Sequence, residues 1–396
     1  MTTHLQDDRA PAAALLSLAR ALLDTASLTR VVPDRMRVAP VEPLPPGDLR
    51  ALHGALARVT DALRLPGLDV VPDTGGLSAV ELCVSRRLGL DRHSLDGCAG
   101  RLEDAVEPAR AGFPGPAVVV PSYDGVPLRC WSRGPVNRPA VAIVNACGMP
   151  AGMTAAWVAA LSSSYRVVTW ESRGLFAVDD GTGPGELGGW SLDVQASDLL
   201  AVLDGFGIRR AHALGLCGGA AVALAAAAGS DRITSLSLWH GDYELHGEAP
   251  KTAHQQDVAA LLAMVARGRR QATEMYRLMR RPATLDGLRP DLAHYLIHPY
   301  ATPELLYRYG LLNGAIMSAD CHRFLVAEQP ALVVTSETDT TAHPAGSKFV
   351  AARLPRAELR TMPDGDHLTA FDAGPALVAL ARDFLRGVTA PDRRDT

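Results

Sequence analysis

The sequence predicts an α/β fold with a mostly parallel central sheet flanked by helices, and three observations carry that prediction. From residue 117 onward, short apolar runs alternate with helical stretches, the pattern that parallel strands joined by crossover helices produce. One run, Ala211 to Leu216, enters a glycine-rich turn and then the unbroken alanine-rich stretch Gly219 to Ala228. This reads as strand, sharp turn and helix in succession. The strand pattern stops over residues 246–328 and resumes at Ala331 to Thr335, so a helical insertion interrupts the sheet.

Taken in order, residues 1–112 read as an N-terminal helical region. Ala12 to Ala26, Asp48 to Leu65 and Leu77 to Leu88 each place apolar residues at helical spacing. The proline-rich stretch Val38 to Gly47 reads as a connector, because proline cannot continue a helix or a central strand. A second break at Ala111 to Pro116 opens the first part of the α/β core, residues 113–245. Ala117 to Ser122, the Asp124-Gly125 turn and Val126 to Ser132 read as a hairpin. Val141 to Val144, Tyr165 to Thr169, Ala211 to Leu216 and Ile233 to Trp239 read as buried strands. Residues 246–328 carry amphipathic helical stretches, among them Asp257 to Ala266 and Ala272 to Arg280, and five tyrosines (276, 295, 300, 307 and 309). The second part of the core, residues 329–396, adds strands at Ala331 to Thr335 and Glu358 to Thr361 and closes with the helix Ala376 to Leu385.

Composition narrows the function classes. The chain has 396 residues, 47% hydrophobic and 21% charged, as globular proteins do. A formal charge of −4 with scattered arginines gives no basic footprint for nucleic acid. Apolar runs stay short of the roughly 18 residues of a membrane span. Met1 to Asp8 carries acids where a secretory signal would carry bases. The six cysteines (83, 98, 130, 147, 217 and 321) form no C-x-x-C pair. They read as reduced thiols of a cytoplasmic protein, with no zinc site and no cofactor motif.

The chemistry concentrates at Gly215-Leu216-Cys217-Gly218-Gly219, a G-x-C-x-G with cysteine where serine is usual. A chain that leaves a strand, turns sharply and enters a helix strains the central residue and crowds the positions two either side, hence glycine there. The central side chain stands above the sheet, where the positive end of the helix stabilises negative charge. The alternative reading is a small-residue turn holding a structural cysteine.

With these residues in place, the chain resembles the α/β-hydrolase superfamily over about residues 117–245 and 329–390. Asn145-Ala146-Cys147-Gly148-Met149-Pro150 lies where relatives carry a His-Gly-x-Pro turn. Glu171-Ser172-Arg173-Gly174 matches the Asp-x-Arg-Gly turn with glutamate for aspartate, and Arg173 reads as structural. Residues 246–328 sit where many relatives insert a cap. The resemblance implies a nucleophile, then an acid after a later strand, then a histidine near the end. Cys217 is the nucleophile, His367 in the Met362-to-His367 loop the base, and Asp339 after Ala331 to Thr335 the acid. Asp242 is the alternative acid and Glu337 a second rival; Asp364 and Asp366 read as solvated loop residues. Of the other histidines, His240 follows a strand and His343 lies in a loop, and neither fits the base as well. Backbone N–H groups of Gly218 and Met149 are the expected oxyanion donors. Cys147 reads as a small buried turn residue rather than a second catalytic thiol.

Because cysteine accepts an acyl group from another thiol with little energetic loss, the expected function is an acyltransferase or thioesterase working through an acyl-cysteine. Its substrate would be a small acyl thioester or ester, free or bound to a carrier protein or coenzyme A, with secondary metabolism suggested by analogy alone. The alternatives are a carboxylic ester or lactone hydrolase, as in dienelactone-hydrolase-like relatives that use cysteine, and a non-catalytic ligand-binding member. One further likeness lies upstream. Gly75-Gly76-Leu77-Ser78-Ala79-Val80-Glu81-Leu82 resembles the start of the second helix of acyl carrier proteins. Gly76 stands at the position of the modified serine, so an amphipathic helix is the preferred reading.

Overall fold

A computed structural model describes residues 9–91, 102–178 and 183–389. Met1 to Asp8 and Cys98 lie outside them. The chain divides into two compact units: residues 1–116 with 176–184 and 272–306, and residues 117–175 with 185–271 and 307–396. The insertion at 246–328 is therefore shared between them.

The first unit holds helices Arg9–Asp24, Ala26–Val31, Pro46–Leu63, Ala79–Leu88 and Leu102–Ala111. Two short strands, β1 (Arg37–Val38) and β2 (Asp69–Val70), pair in parallel. Sequence periodicity did not indicate that pair. Pro46 and Gly47 belong to the start of a helix rather than to the connector, because the first helical turn needs no N–H from proline. Ser78 caps Ala79–Leu88: its hydroxyl accepts from Glu81 N–H while the Glu81 carboxylate accepts from Ser78 N–H. This reciprocal cap accounts for the Ser78-to-Glu81 spacing.

The second unit is built on one eight-stranded sheet: β3 (Val118–Pro121), β4 (Pro127–Arg133), β5 (Ala140–Val144), β6 (Arg166–Trp170), β7 (Ala211–Leu216), β8 (Ile233–Trp239), β9 (Ala331–Ser336) and β10 (Ala357–Met362). The spatial order is β10-β9-β8-β7-β5-β6-β4-β3. Only the β3–β4 and β4–β6 pairs are antiparallel. Strands β7 and β9 are buried along their whole length, as expected of central parallel strands covered on both faces. Among the described residues no helix is long and apolar enough to cross a membrane.

Three polar clusters brace this sheet and its loops. Arg173, with a side chain 1% exposed, donates to Asp198, Asp124, the Ser122 hydroxyl and two backbone carbonyls. It is the structural residue the sequence suggested. Glu171 accepts from Ala151 N–H at 3.0 Å and pairs with Arg129 at 3.0 Å. On β7 the two ring nitrogens of His212 bond the hydroxyls of Ser235 and Ser237 at 2.8 and 2.7 Å.

Two outcomes follow. Arg173→Met strands the Asp198 carboxylate without its cation and should cost about 3–5 kcal/mol in denaturant unfolding, with the Arg173→Met/Asp198→Leu pair costing less. Burial pushes the His212 imidazole down to about 3, below its unfolded value near 6.5. The unfolded chain therefore takes up the proton first. This contribution to stability is present above pH 6.5 and is lost as pH falls toward 3. Thermal unfolding measured from pH 7 to 4 should show a shallower loss in His212→Gln, which cannot titrate.

Candidate active site

Cys217 sits between β7 and the helix Gly218–Gly229 with φ 54° and ψ −126°. Its N–H donates to the Trp239 carbonyl of β8 at 3.0 Å, which pins the turn to the neighbouring strand. The flanking glycines are sterically required. A Cβ at Gly215 would lie 2.5 Å from Ala220 Cα, and one at Gly219 would lie 2.2 Å from the Val144 carbonyl oxygen. Gly218 is under no such pressure: a Cβ there would meet Ile316 at 3.5 Å and Asn313 Oδ1 at 3.6 Å. Those two side chains, on the helix Pro303–Ser318, stand nearest above the turn. Asn313 in turn donates to the Tyr309 hydroxyl at 3.1 Å. Among the described cysteines, all unpaired, Cys217 alone is not fully buried.

The loop after β10 carries His367, which is 4% exposed. Its Nδ1 bonds Asp339 Oδ2 at 3.0 Å. Thr338 ties the two loops together by donating to the Gly365 carbonyl at 2.8 Å. Asp366 is not merely solvated: it accepts from Thr369 N–H at 3.0 Å and so caps the turn that follows His367.

The structure brings Cys217, His367 and Asp339 together and leaves the rival acids elsewhere. Asp242 accepts from Gln255 at 2.5 Å and Lys251 at 3.4 Å. Glu337 is exposed and paired with Lys348. Burial alone would raise the Asp339 carboxyl, but the two imidazoles and the Ala342 amide outweigh it and hold it well below the usual range. Burial likewise pushes the His367 imidazole down, yet Cys217 and Asp339 reverse this and hold it up at about 10. His367 Nε2 is buried and closes no hydrogen bond of full geometry, while Cys217 is near enough to act on the ring electrostatically.

Of the two expected oxyanion donors, Met149 lies in a hydrogen-bonded turn. Met149 N–H is committed to the Ala146 carbonyl at 3.2 Å, closing a turn. Gly148 N–H is committed to the Ser172 hydroxyl at 3.0 Å. Asn145 braces the same turn through Ala146 N–H and the carbonyls of Met149 and Pro150. Cys147 N–H makes no hydrogen bond among the described residues and stands beside Met149 as a further candidate partner of Gly218 N–H. The Cys147 thiol itself is pushed up to about 12 by burial, with a hydrogen bond to Ser172 offsetting part of the effect. It is no second thiolate.

Sequence reasoning missed a role for His240. Its Nδ1 bonds the same Oδ2 of Asp339 at 2.8 Å. Its only sequence signal was its position at the end of β8, beside the strand that carries the turn. The ligand atoms of His240, Asp339 and His367 lie within 4.8 Å of one another, a spacing a metal ion could use. Here both Nδ1 atoms are instead directed at one carboxylate oxygen. Chemically, the arrangement can hold a thiolate beside an imidazolium, attack a carbonyl, protonate the leaving group and then activate water.

Residues 142–374 match the family model described as alpha/beta hydrolase fold. Over 108 residues the chain is 33% identical to 3-oxoadipate enol-lactonase 1 of Acinetobacter baylyi, a match spanning 27% of this chain and 38% of that protein. The enol-lactonase structure from Burkholderia xenovorans superposes with a TM-score of 0.53 at 24% identity, covering 68% of this chain and 99% of that one. An esterase from Thermogutta terrifontis gives 0.52 at 19% identity, covering 69% and 98%. These last two likenesses show the fold.

His367→Gln should slow alkylation of Cys217 by iodoacetamide at pH 7 by about tenfold or more, the gap closing toward pH 10, where an unassisted thiol ionises anyway. Peptide mass spectrometry across that range checks it.

Proposed function

The chain belongs to the α/β-hydrolase family, and on that premise we propose that it is a carboxylic ester or lactone hydrolase working through an acyl-cysteine on Cys217. The observation that carries the proposal is the bonded chain from Asp339 Oδ2 to His367 Nδ1, with Cys217 acting on the far side of the imidazole at a helix N-terminus. A 33%-identical stretch of an enol-lactonase supports the substrate class and moves the weight from acyl transfer, the first expectation, to hydrolysis.

In the proposed cycle Cys217 Sγ attacks the ester carbonyl while the N–H groups of Gly218 and Cys147 receive the developing oxyanion. His367 gives its proton to the departing alkoxide or enolate. It then takes a proton from water as that water attacks the thioester, which returns acid and free thiol. Asp339 keeps Nδ1 of His367 protonated and steadies the imidazolium. Acyl transfer or thioester cleavage is the second reading, favoured by one observation: a thiol rather than a hydroxyl stands at position 217, and thioesters react readily with amines and thiols.

A panel of aryl esters, enol-lactones and acyl thioesters tests this by intact mass and product analysis. The expected result is an adduct on the native protein that Cys217→Ala abolishes and that water discharges. Asp339→Asn should lower turnover by on the order of 10³–10⁴-fold. Discharge to amines in preference to water would replace hydrolysis with transfer. An unlabelled Cys217 across the panel would overturn both.

A further inference from the structure

The carboxylate of Asp339 is saturated. Oδ1 accepts from the N–H groups of Thr341 at 2.8 Å and Ala342 at 3.0 Å. Oδ2 accepts from His240 at 2.8 Å and His367 at 3.0 Å. An ionised carboxylate offers about four lone-pair sites, so every site is filled and half are filled by imidazoles. The Oδ1 amides alone anchor one oxygen; the direction of the other still depends on what binds it. Nδ1 of His240 must carry hydrogen to bond an acceptor-only group, which fixes the tautomer of His240.

His240 is built into this place at a cost. Its N–H donates to the Val334 carbonyl of β9 at 2.8 Å, lacing the end of β8 to the strand that delivers Asp339. Its φ is +48°, a region that side-chain-bearing residues adopt at a cost of order 1 kcal/mol or more. The ring is buried and lies edge-on to His367, with centroids 5.8 Å apart. Other ionisable groups around it are accounted for: Cys217 acts on His367, Asp242 is held by Lys251 and Gln255, and Tyr243 is buried with its hydroxyl neutral.

We infer that His240 is a positioning residue: it clamps Oδ2 of Asp339 so that this oxygen, and through it the imidazole of His367, stays aligned with Cys217. The inference rests on the nucleophile reading above. It assigns His240 no contact with substrate. Its work is to hold the acid from a second direction, sharing Oδ2 with the base.

The test compares native protein with His240→Gly and His240→Asn in the pH dependence of Cys217 alkylation by iodoacetamide, with thermal unfolding measured for each. Both replacements tolerate positive φ. Only asparagine keeps a donor, its amide nitrogen standing near the place of Nδ1. The expected result is a loss of about tenfold in the neutral-pH rate of the glycine variant, its profile moving toward that of a free thiol near 8.5. Asparagine should restore most of the native rate. A glycine variant that follows the native profile overturns the clamp, and so does an asparagine variant displaced as far as glycine. Native Cys217 reacting like a free thiol would overturn the nucleophile reading itself, which separates the two failures.

Discussion

Four hydrogen bonds converge on the carboxylate of Asp339, two from backbone amides and two from buried imidazoles. A buried carboxylate without partners would protonate or destabilise the fold. With all four it stays ionised, and that charge is what allows a protonated His367 to exist in a nearly closed space. The rest of the site depends on this balance. Cys217 and Asp339 together outweigh burial and hold the His367 imidazole up.

The turn beneath Cys217 imposes a steric constraint of equal weight. Gly215 and Gly219 have no room for a Cβ, because the helix after β7 must pack directly against the end of β5. That close approach also sets Cys147 beside the elbow, since Val144 and Asn145 lead straight into its loop. The same packing that demands glycine therefore assembles the proposed oxyanion site. Farther along the sheet, Arg173 neutralises Asp198 and Asp124, while Glu171 accepts from Ala151 N–H and pairs with Arg129, and the two hold the loops after β5 and β6. Glu171 seats the loop bearing Cys147 through Ala151 N–H, alongside Asn145 and Ser172.

Cysteine at the elbow leaves the fate of the acyl group to the second half of the cycle. The chemistry of sulfur alone favours passing the acyl group to another nucleophile, whereas the named relatives act on lactones and esters. On the proposed reading His367 is the base on either route.

The fold was legible because its signals are local. Strand runs, the glycine-flanked Cys217 and the loop bearing His367 each follow from a few adjacent residues, and their order along the chain placed Asp339 between them. What the sequence left open depended on three-dimensional neighbours. Chain order already named Asp339 as the acid; only the structure shows that Lys251 with Gln255 take up Asp242 and that Lys348 takes up Glu337. Seeing that Met149 N–H closes a turn while Cys147 N–H does not required the loop's own hydrogen bonds. The short β1–β2 pair escaped notice because two residues carry no periodicity. His240 was invisible as anything but a residue after a strand. Sequence determined which side chains can do chemistry, since that is a property of residue type and local backbone. Tertiary structure decided which partner each one meets, since hydrogen bonds between β8, β9 and the final loop join residues far apart in the chain.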